Sequence, residues 1–231
     1  ARALAAAGRA DEAYGMLGPL RQQNVLPAPR LTELETGWAA ASLQQATDGN
    51  TLAARWEALP RALRLRPAVV SAYATRAADF HWDDAATHSL EQAINADWNP
   101  QLVALYGHLP VNKFDSRRAS AQAWLQAKPD DPALLLSLGR LALAQAQWPQ
   151  AREFLLHAVD AGAGAEAWEA LSGGFSAQGD DRAAAIAARN ALKARRGEAV
   201  DALPDAASGN DPVATAEERD EHGVPRLRDG H

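Results

Sequence analysis

The chain has 231 residues, 47% hydrophobic and 23% charged, with a formal net charge of −6 and no cysteine. The missing cysteines exclude disulfides, thiolate catalysis and thiolate metal sites, and the acidic balance disfavours nucleic acid as a partner. No run approaches the roughly 18 apolar residues of a membrane-spanning helix.

Alanine is abundant, while Tyr (3) and Phe (4) are few. Ala loses no side-chain entropy in a helix, so the composition favours an all-α chain. The opening residues read as the inside of a helix pair, which leads us to expect a fragment of a longer protein. Gly8-Arg9-Ala10-Asp11-Glu12-Ala13, with Leu17, matches the second half of a truncated pair. Residues 25–29, with Pro27 and Pro29, predict a loop. Trp38-x2-Ala41-Ser42 and Ala54-x3-Ala58 then suggest a further pair.

From Pro67 a pattern recurs in register. Val70, Tyr73, Ala74 and Ala77 precede Ala86, Leu90 and Ala93. Val103, Tyr106 and Gly107 precede Ala119 and Ala123. Leu135, Leu138, Gly139 and Ala142 precede Ala151, Leu155 and Ala158. Trp168, Leu171, Ser172 and Phe175 precede Ala184, Ala188 and Ala191. The small residue of each first helix and the Ala of its second are always twelve apart: Ala74/Ala86, Gly107/Ala119, Gly139/Ala151 and Ser172/Ala184. The unit recurs at 33, 32 and 33 residues. This is the tetratricopeptide pattern, in which small residues let two antiparallel helices approach and large apolar residues fill the gaps.

Pro67, Pro100 and Pro132 each open a first helix, where a missing N–H costs nothing. The turns between paired helices fall at Asp83-Asp84, Asp115-Ser116, Gln147-Trp148-Pro149 and Gly179-Asp180-Asp181. The expected architecture is an all-α, right-handed α-solenoid over residues 1–196. Its clearest pairs are 67–99, 100–131, 132–164 and 165–196, with about five and a half pairs in all. Residues 197–231, rich in Pro, Asp and Gly, have too little to bury and predict a mobile tail.

Catalytic motifs are lacking: there is no HExxH, no GxSxG, no phosphate loop and no dinucleotide fingerprint. The six histidines (His81, His88, His108, His157, His222 and His231) are scattered, so no metal site is expected. The acidic pairs Asp83-Asp84, Asp130-Asp131 and Asp180-Asp181 suit helix starts better than paired catalytic carboxylates. Trp38 and Trp168 stand at the repeat's own Trp position and are expected in the core. Trp82 and Trp148 fall at turns, Trp98 precedes a helix-opening proline, and Trp124 lies in a second helix. Gly173-Gly174 lies inside a predicted helix, for close packing or for a ligand's approach.

In a solenoid the first helices line a concave face. The register puts Ser71, Thr75, Gln101, His108, Leu136, Arg140, Leu143 and Glu166 on it. Arg140 is the strongest candidate for a carboxylate, and Leu136 and Leu143 would add apolar contact. These eight are the candidate partner-binding residues, and no catalytic or metal-ligating residue is assigned.

Two elements are more specific than the generic repeat. Trp98-Asn99-Pro100 leads into Leu105-Tyr106-Gly107, and Pro129-Asp130-Asp131-Pro132 leads into Leu138-Gly139-Arg140-Leu141. On these, residues 1 to 196 resemble the HemY family of proteobacterial inner-membrane tetratricopeptide proteins. The resemblance implies two N-terminal membrane-spanning helices outside this chain, with the repeat domain on the cytoplasmic side of the inner membrane. It also implies a link to haem biosynthesis through neighbouring tetrapyrrole enzymes, and it supplies no catalytic residues.

The expected function is therefore a non-enzymatic scaffold or regulator, with haem-pathway enzymes as protein partners and no required cofactor. A haem or porphyrin carrier is the second reading, with His108 the best-placed ligand for haem iron. A generic envelope-assembly adaptor is the third.

Overall fold

A computed structural model describes residues 4, 8–22 and 27–204, and these contain helices, turns and irregular chain with no strand. In chain order the helices are α1 (Ala10–Gly15), α2 (Leu17–Gln22), α3 (Ala28–Gln44), α4 (Gly49–Glu57), α5 (Arg61–Arg64), α6 (Pro67–Asp79) and α7 (Asp83–Ala96). They continue with α8 (Pro100–His108), α9 (Phe114–Leu125), α10 (Pro132–Ala144), α11 (Trp148–Asp160), α12 (Ala165–Ala177) and α13 (Asp181–Arg195). The described residues are all-α, as the composition predicts. Among the described residues no helix is long and apolar enough to cross a membrane.

The helix starts follow local chemistry. Pro67, Pro100 and Pro132 stand in the first turns of α6, α8 and α10. Side-chain caps satisfy the first free N–H groups. Asp48 accepts from Thr51, Asn99 from Gln101 and Leu102, Asp131 from Leu134, and Asp180 from Ala183. Asp83 and Asp84 do not cap α7 in this way. Asp83 accepts the Asn112 N–H (2.9 Å) and Asp84 pairs with Lys113 (2.9 Å), fastening α7 to the link before α9. Of the loop predicted at 25–29, residues 25 and 26 lie outside the described residues. Pro27 caps α3, and Ala28 and Pro29 already belong to it, since Pro suits a first turn.

Among consecutive helices, α6 packs with α7, α10 with α11 and α12 with α13, and α10 and α12 also pack on the helices before them, α9 and α11. The series α3, α6, α8, α10 and α12 also packs each member on the next. One core cluster runs from α3 to α10 around Leu43, Val70, Tyr73, Leu90, Tyr106 and Leu138. A second runs from α10 to α13 around Leu155, Trp168, Leu171 and Phe175. Helix α10 serves both, with Leu134, Leu138 and Leu141 in the first and Leu135 and Leu136 in the second. Each fully buried leucine contributes roughly 1.5–3 kcal/mol. Trp38 is buried with Ala13 and Leu17 in a smaller third cluster.

The small-residue register holds in three of the four pairs. Ala74, Ala86, Gly139 and Ala151 are buried. A Cβ on Gly139 would lie 2.6 Å from Leu155, and the Ser172 hydroxyl donates to the Ala184 carbonyl (3.0 Å). The pair α8/α9 departs from it, because Ala119 and Ala123 are exposed and Arg117 and Ala121 point inward. Helix α8 ends at His108, and the link 109–113 buries Leu109 and Val111 before α9 begins. That link shifts the inward face of α9 by two residues. Gly107 is small for another neighbour: a Cβ there would overlap Ser137 of α10. Upstream, Ala54 and Ala58 are likewise exposed, and Leu52 and Leu59 fill the inward positions.

Arg117 organises the irregular link. It is 1% exposed and donates to the carbonyls of Leu109 and Val111 (3.1 Å each) and of Tyr106. Its guanidinium lies 5.2 Å from the Tyr106 ring centre, and burial holds its pKa below the ordinary arginine value. The Tyr106 hydroxyl donates to Glu91 (2.6 Å), which also accepts from Ser120 (2.8 Å). Burial, then the bond to Glu91, pushes the phenol well above its usual range.

Residues 198–204 begin the segment expected to be a mobile tail, yet Asp201 is fastened to α13. Asn190, fully buried, donates to the Asp201 carbonyl (2.8 Å) and accepts its N–H (2.7 Å). Lys193 holds the Asp201 carboxylate at 2.6 Å, and Leu203 packs on the second core cluster. One buried amide side chain reading a backbone offsets the low apolar content of this stretch. Residues 205–231, with His222 and His231, lie outside the described residues.

Candidate functional site

The eight candidate residues do not form one surface. Ser71 and Thr75 of α6 line a shallow depression of about 230 Å³ against Gln44 of α3, with Arg76 and Asp79 at its edge. Arg76 and Asp79 pair at 3.0 Å, and Arg76 also donates to the Ala46 carbonyl. Gln101 is exposed and lines neither this depression nor the cleft described next. Leu136 is 3% exposed and packs in the second core cluster, so it offers no apolar contact to a partner. Helix α12 packs directly on α10, which accounts for the difference.

His108, Arg140, Leu143 and Glu166 do come together. They line an open cleft of about 520 Å³ between α8, α10 and α12. The α8 wall ends in His108, Leu109 and Pro110, and Phe114 closes that side. Leu143 and Ala144, three and four residues past Arg140, form the α10 wall. The α12 wall carries Glu166, Glu169, Ala170 and Gly173, spaced at three, four and seven residues and so on one helix face.

The charged groups of the cleft are held by one another and by the scaffold. Arg140, 19% exposed, donates to Glu166 at 2.9 Å. Glu169 accepts from Arg195 of α13. The pair Arg140–Glu166 therefore bridges α10 and α12. Arg140, expected to take a partner's carboxylate, holds a carboxylate of its own chain here.

Gly173 and Gly174 show why two glycines stand inside α12. A Cβ on Gly174 would overlap the Trp148 ring, which packs edge-on against Phe175 with ring centres 4.9 Å apart. Gly174 is there for packing. A Cβ on Gly173 would meet nothing within 4 Å. Glycine in a helix interior costs about 0.5–1 kcal/mol relative to alanine, and no internal contact of Gly173 accounts for that cost. It does keep the floor of the cleft low.

The sequence register missed Phe114, Glu169, Ala170 and Gly173 as cleft residues. Glu169, Ala170 and Gly173 follow from Glu166 by helical spacing, and that signal was available. Phe114 was not available, because it reaches the cleft only through the displaced start of α9. The other described histidines lie elsewhere. His157 meets Asp130 at 3.1 Å, His88 meets Gln92, and His81 takes a left-handed turn conformation (φ 60°). Trp168 is buried, as expected from its repeat position.

Comparison of the chain with known protein families, with curated proteins and with solved structures finds no match.

Proposed function

We propose that this chain is a non-enzymatic scaffold of tetratricopeptide type, stacked as a right-handed solenoid, which holds a protein segment in the cleft between α8, α10 and α12. Gly173 carries the reading: a helix-interior glycine, unexplained by any internal contact, faces this cleft. A backbone laid across α12 approaches most closely where a side chain is missing. The apolar lining of Leu143, Ala144 and Ala170 and the pair Arg140–Glu166 suit a peptide with apolar anchors and a charged flank. The serial packing of α3, α6, α8, α10 and α12, together with the 32- and 33-residue spacing, supports the solenoid.

The partner assignment rests on the resemblance to the HemY family. It points to haem-pathway enzymes gathered at the inner membrane, with the domain on the cytoplasmic side and an anchor outside this chain. Co-purification from native membranes of the full-length protein tests it. With Arg140→Glu the partner is lost, and the charge swap Arg140→Glu with Glu166→Arg restores the rim pair and part of the binding. Recovery of the same proteins with Arg140→Glu alone removes the cleft from the account. Recovery of unrelated envelope proteins favours a general assembly adaptor.

A second reading has its own observation: His108 is exposed and lines the same cleft beside Phe114 and Leu143. An imidazole in an apolar cleft is a haem ligand in waiting. An absorbance titration with haem decides between the two. No Soret shift, or a shift unchanged by His108→Ala, eliminates the carrier.

A further inference from the structure

A second cleft, of about 540 Å³, opens between α4–α5 and α7, on residues that the partner cleft does not use. Its walls are Trp56 of α4, Arg61, Arg64 and Leu65 around α5, and Ser89, Gln92 and Ala96 of α7. The α7 residues recur at three and seven positions, so they share one helix face. The volume falls within the range of small-molecule sites, roughly 300–1,000 Å³.

Two cations of this cleft carry no carboxylate of their own, unlike Arg55 with Asp11, Arg76 with Asp79 and Arg140 with Glu166. Among the described residues no carboxylate pairs with Arg61 or Arg64, although acidic residues outnumber basic ones 29 to 23 over the whole sequence. Arg64 is nonetheless fixed in place. Its Nε donates to the Leu59 carbonyl (2.9 Å) and one terminal nitrogen to the Glu57 carbonyl (2.8 Å), and it sits 5.8 Å from the Trp56 ring centre. Trp56 is fixed too, stacked on Tyr73 at 3.9 Å and 14°. Burial, and after it the charge of Glu57, pushes the Tyr73 phenol up; Glu57 follows Trp56 in sequence but does not line the cleft.

A braced aromatic plane, a braced guanidinium and a second guanidinium with no carboxylate partner among the described residues line one space. We infer that this cleft binds a small anion, a carboxylate or a phosphate, carried on a planar apolar body. The body packs against Trp56 and Leu65, Arg61 and Arg64 take the anion, and the Gln92 side chain offers a further polar contact at the α7 wall.

The test uses four probes: 1-naphthoate, 1-naphthyl phosphate, neutral 1-naphthol and inorganic phosphate. The readout is the indole N–H resonance of Trp56, assigned with Trp56→Phe. The inference predicts saturable shifts with naphthoate, naphthyl phosphate or both, and the tighter of the two identifies the anion. Naphthol and inorganic phosphate bind at least about tenfold more weakly, as does the best probe to Arg61→Glu. Arg152→Glu, the same charge change on α11, leaves the affinity unchanged and controls for net charge. Equal binding of naphthol overturns the anion site, and equal binding of inorganic phosphate overturns the apolar one. No binding, or full binding to Arg61→Glu, overturns the whole inference.

Discussion

Gly173 and Gly174 are neighbours in one helix with opposite surroundings: a Cβ on Gly174 would overlap Trp148, and a Cβ on Gly173 would meet open space. Their alanine variants should therefore move stability in opposite directions. Gly173→Ala is expected to stabilise by about 0.5–1 kcal/mol through helix propensity. Gly174→Ala is expected to destabilise by roughly 1–3 kcal/mol through overpacking. Thermal melts of the two variants check the pair, and a shared direction contradicts the geometry.

The close contact between α10 and α11 makes a similar claim. Gly139→Leu and Ala151→Leu each push side-chain volume into a contact where one Cβ already falls 2.6 Å from Leu155. Each should destabilise by roughly 1–3 kcal/mol or more. Ala119→Leu, at the matching place in the displaced pair, should cost far less because Ala119 is exposed. Urea denaturation of the three variants distinguishes the true contacts from the merely periodic one.

Arg117 supplies donors to three carbonyls in a buried link. Arg117→Met leaves the carbonyls of Tyr106, Leu109 and Val111 without their donor, at an expected loss of roughly 3–5 kcal/mol. Arg117→Lys should recover only part, because a point ammonium cannot span three acceptors as a planar guanidinium does. Equal stability of the Met variant in denaturant would show that the link does not depend on this side chain.

Asp201 makes the fastening of residues 198–204 sensitive to acid. The hydrogen bond from Lys193 holds its carboxyl below the ordinary value, helped by the charges of Lys193 and Arg189. A depressed folded pKa gives stabilisation that is complete above the unfolded value, about 3.9, and is lost as pH falls through the folded value. Amide exchange at Asp201 should accelerate over that acidic window while the centre of α12 stays protected. Asp201→Asn should remove the dependence on pH. Protection that survives acid unchanged, or an Asn variant with the same transition, contradicts this.

Much of the helical layout was legible. Proline at helix starts, caps such as Asn99 and Asp131, and the Ala/Gly period place α6, α10, α11, α12 and α13 directly. What could not be read was set by tertiary packing. The two-residue shift of α9 comes from a link that buries Leu109 and Val111 around Arg117, and a buried arginine carries no periodic signal. Leu136 sits at an outward register position, but α12 covers it. The clamp of Asn190 on Asp201 depends on chain reversal after Gly197, whose φ is 70°, and composition does not show it. Four of the eight candidate residues converged on one cleft because they flank three helices packed in series.

Site-specific photocrosslinking in native membranes tests the central claim most directly, with probes at Ala144 and Ala170 in the cleft and at exposed Gln126 outside it. The account predicts that both cleft probes capture the same protein and Gln126 does not. Purified, that partner should bind Gly173→Leu at least about tenfold more weakly while the variant melts no lower than the parent. Capture from Gln126 alone, or full affinity for Gly173→Leu, would contradict it.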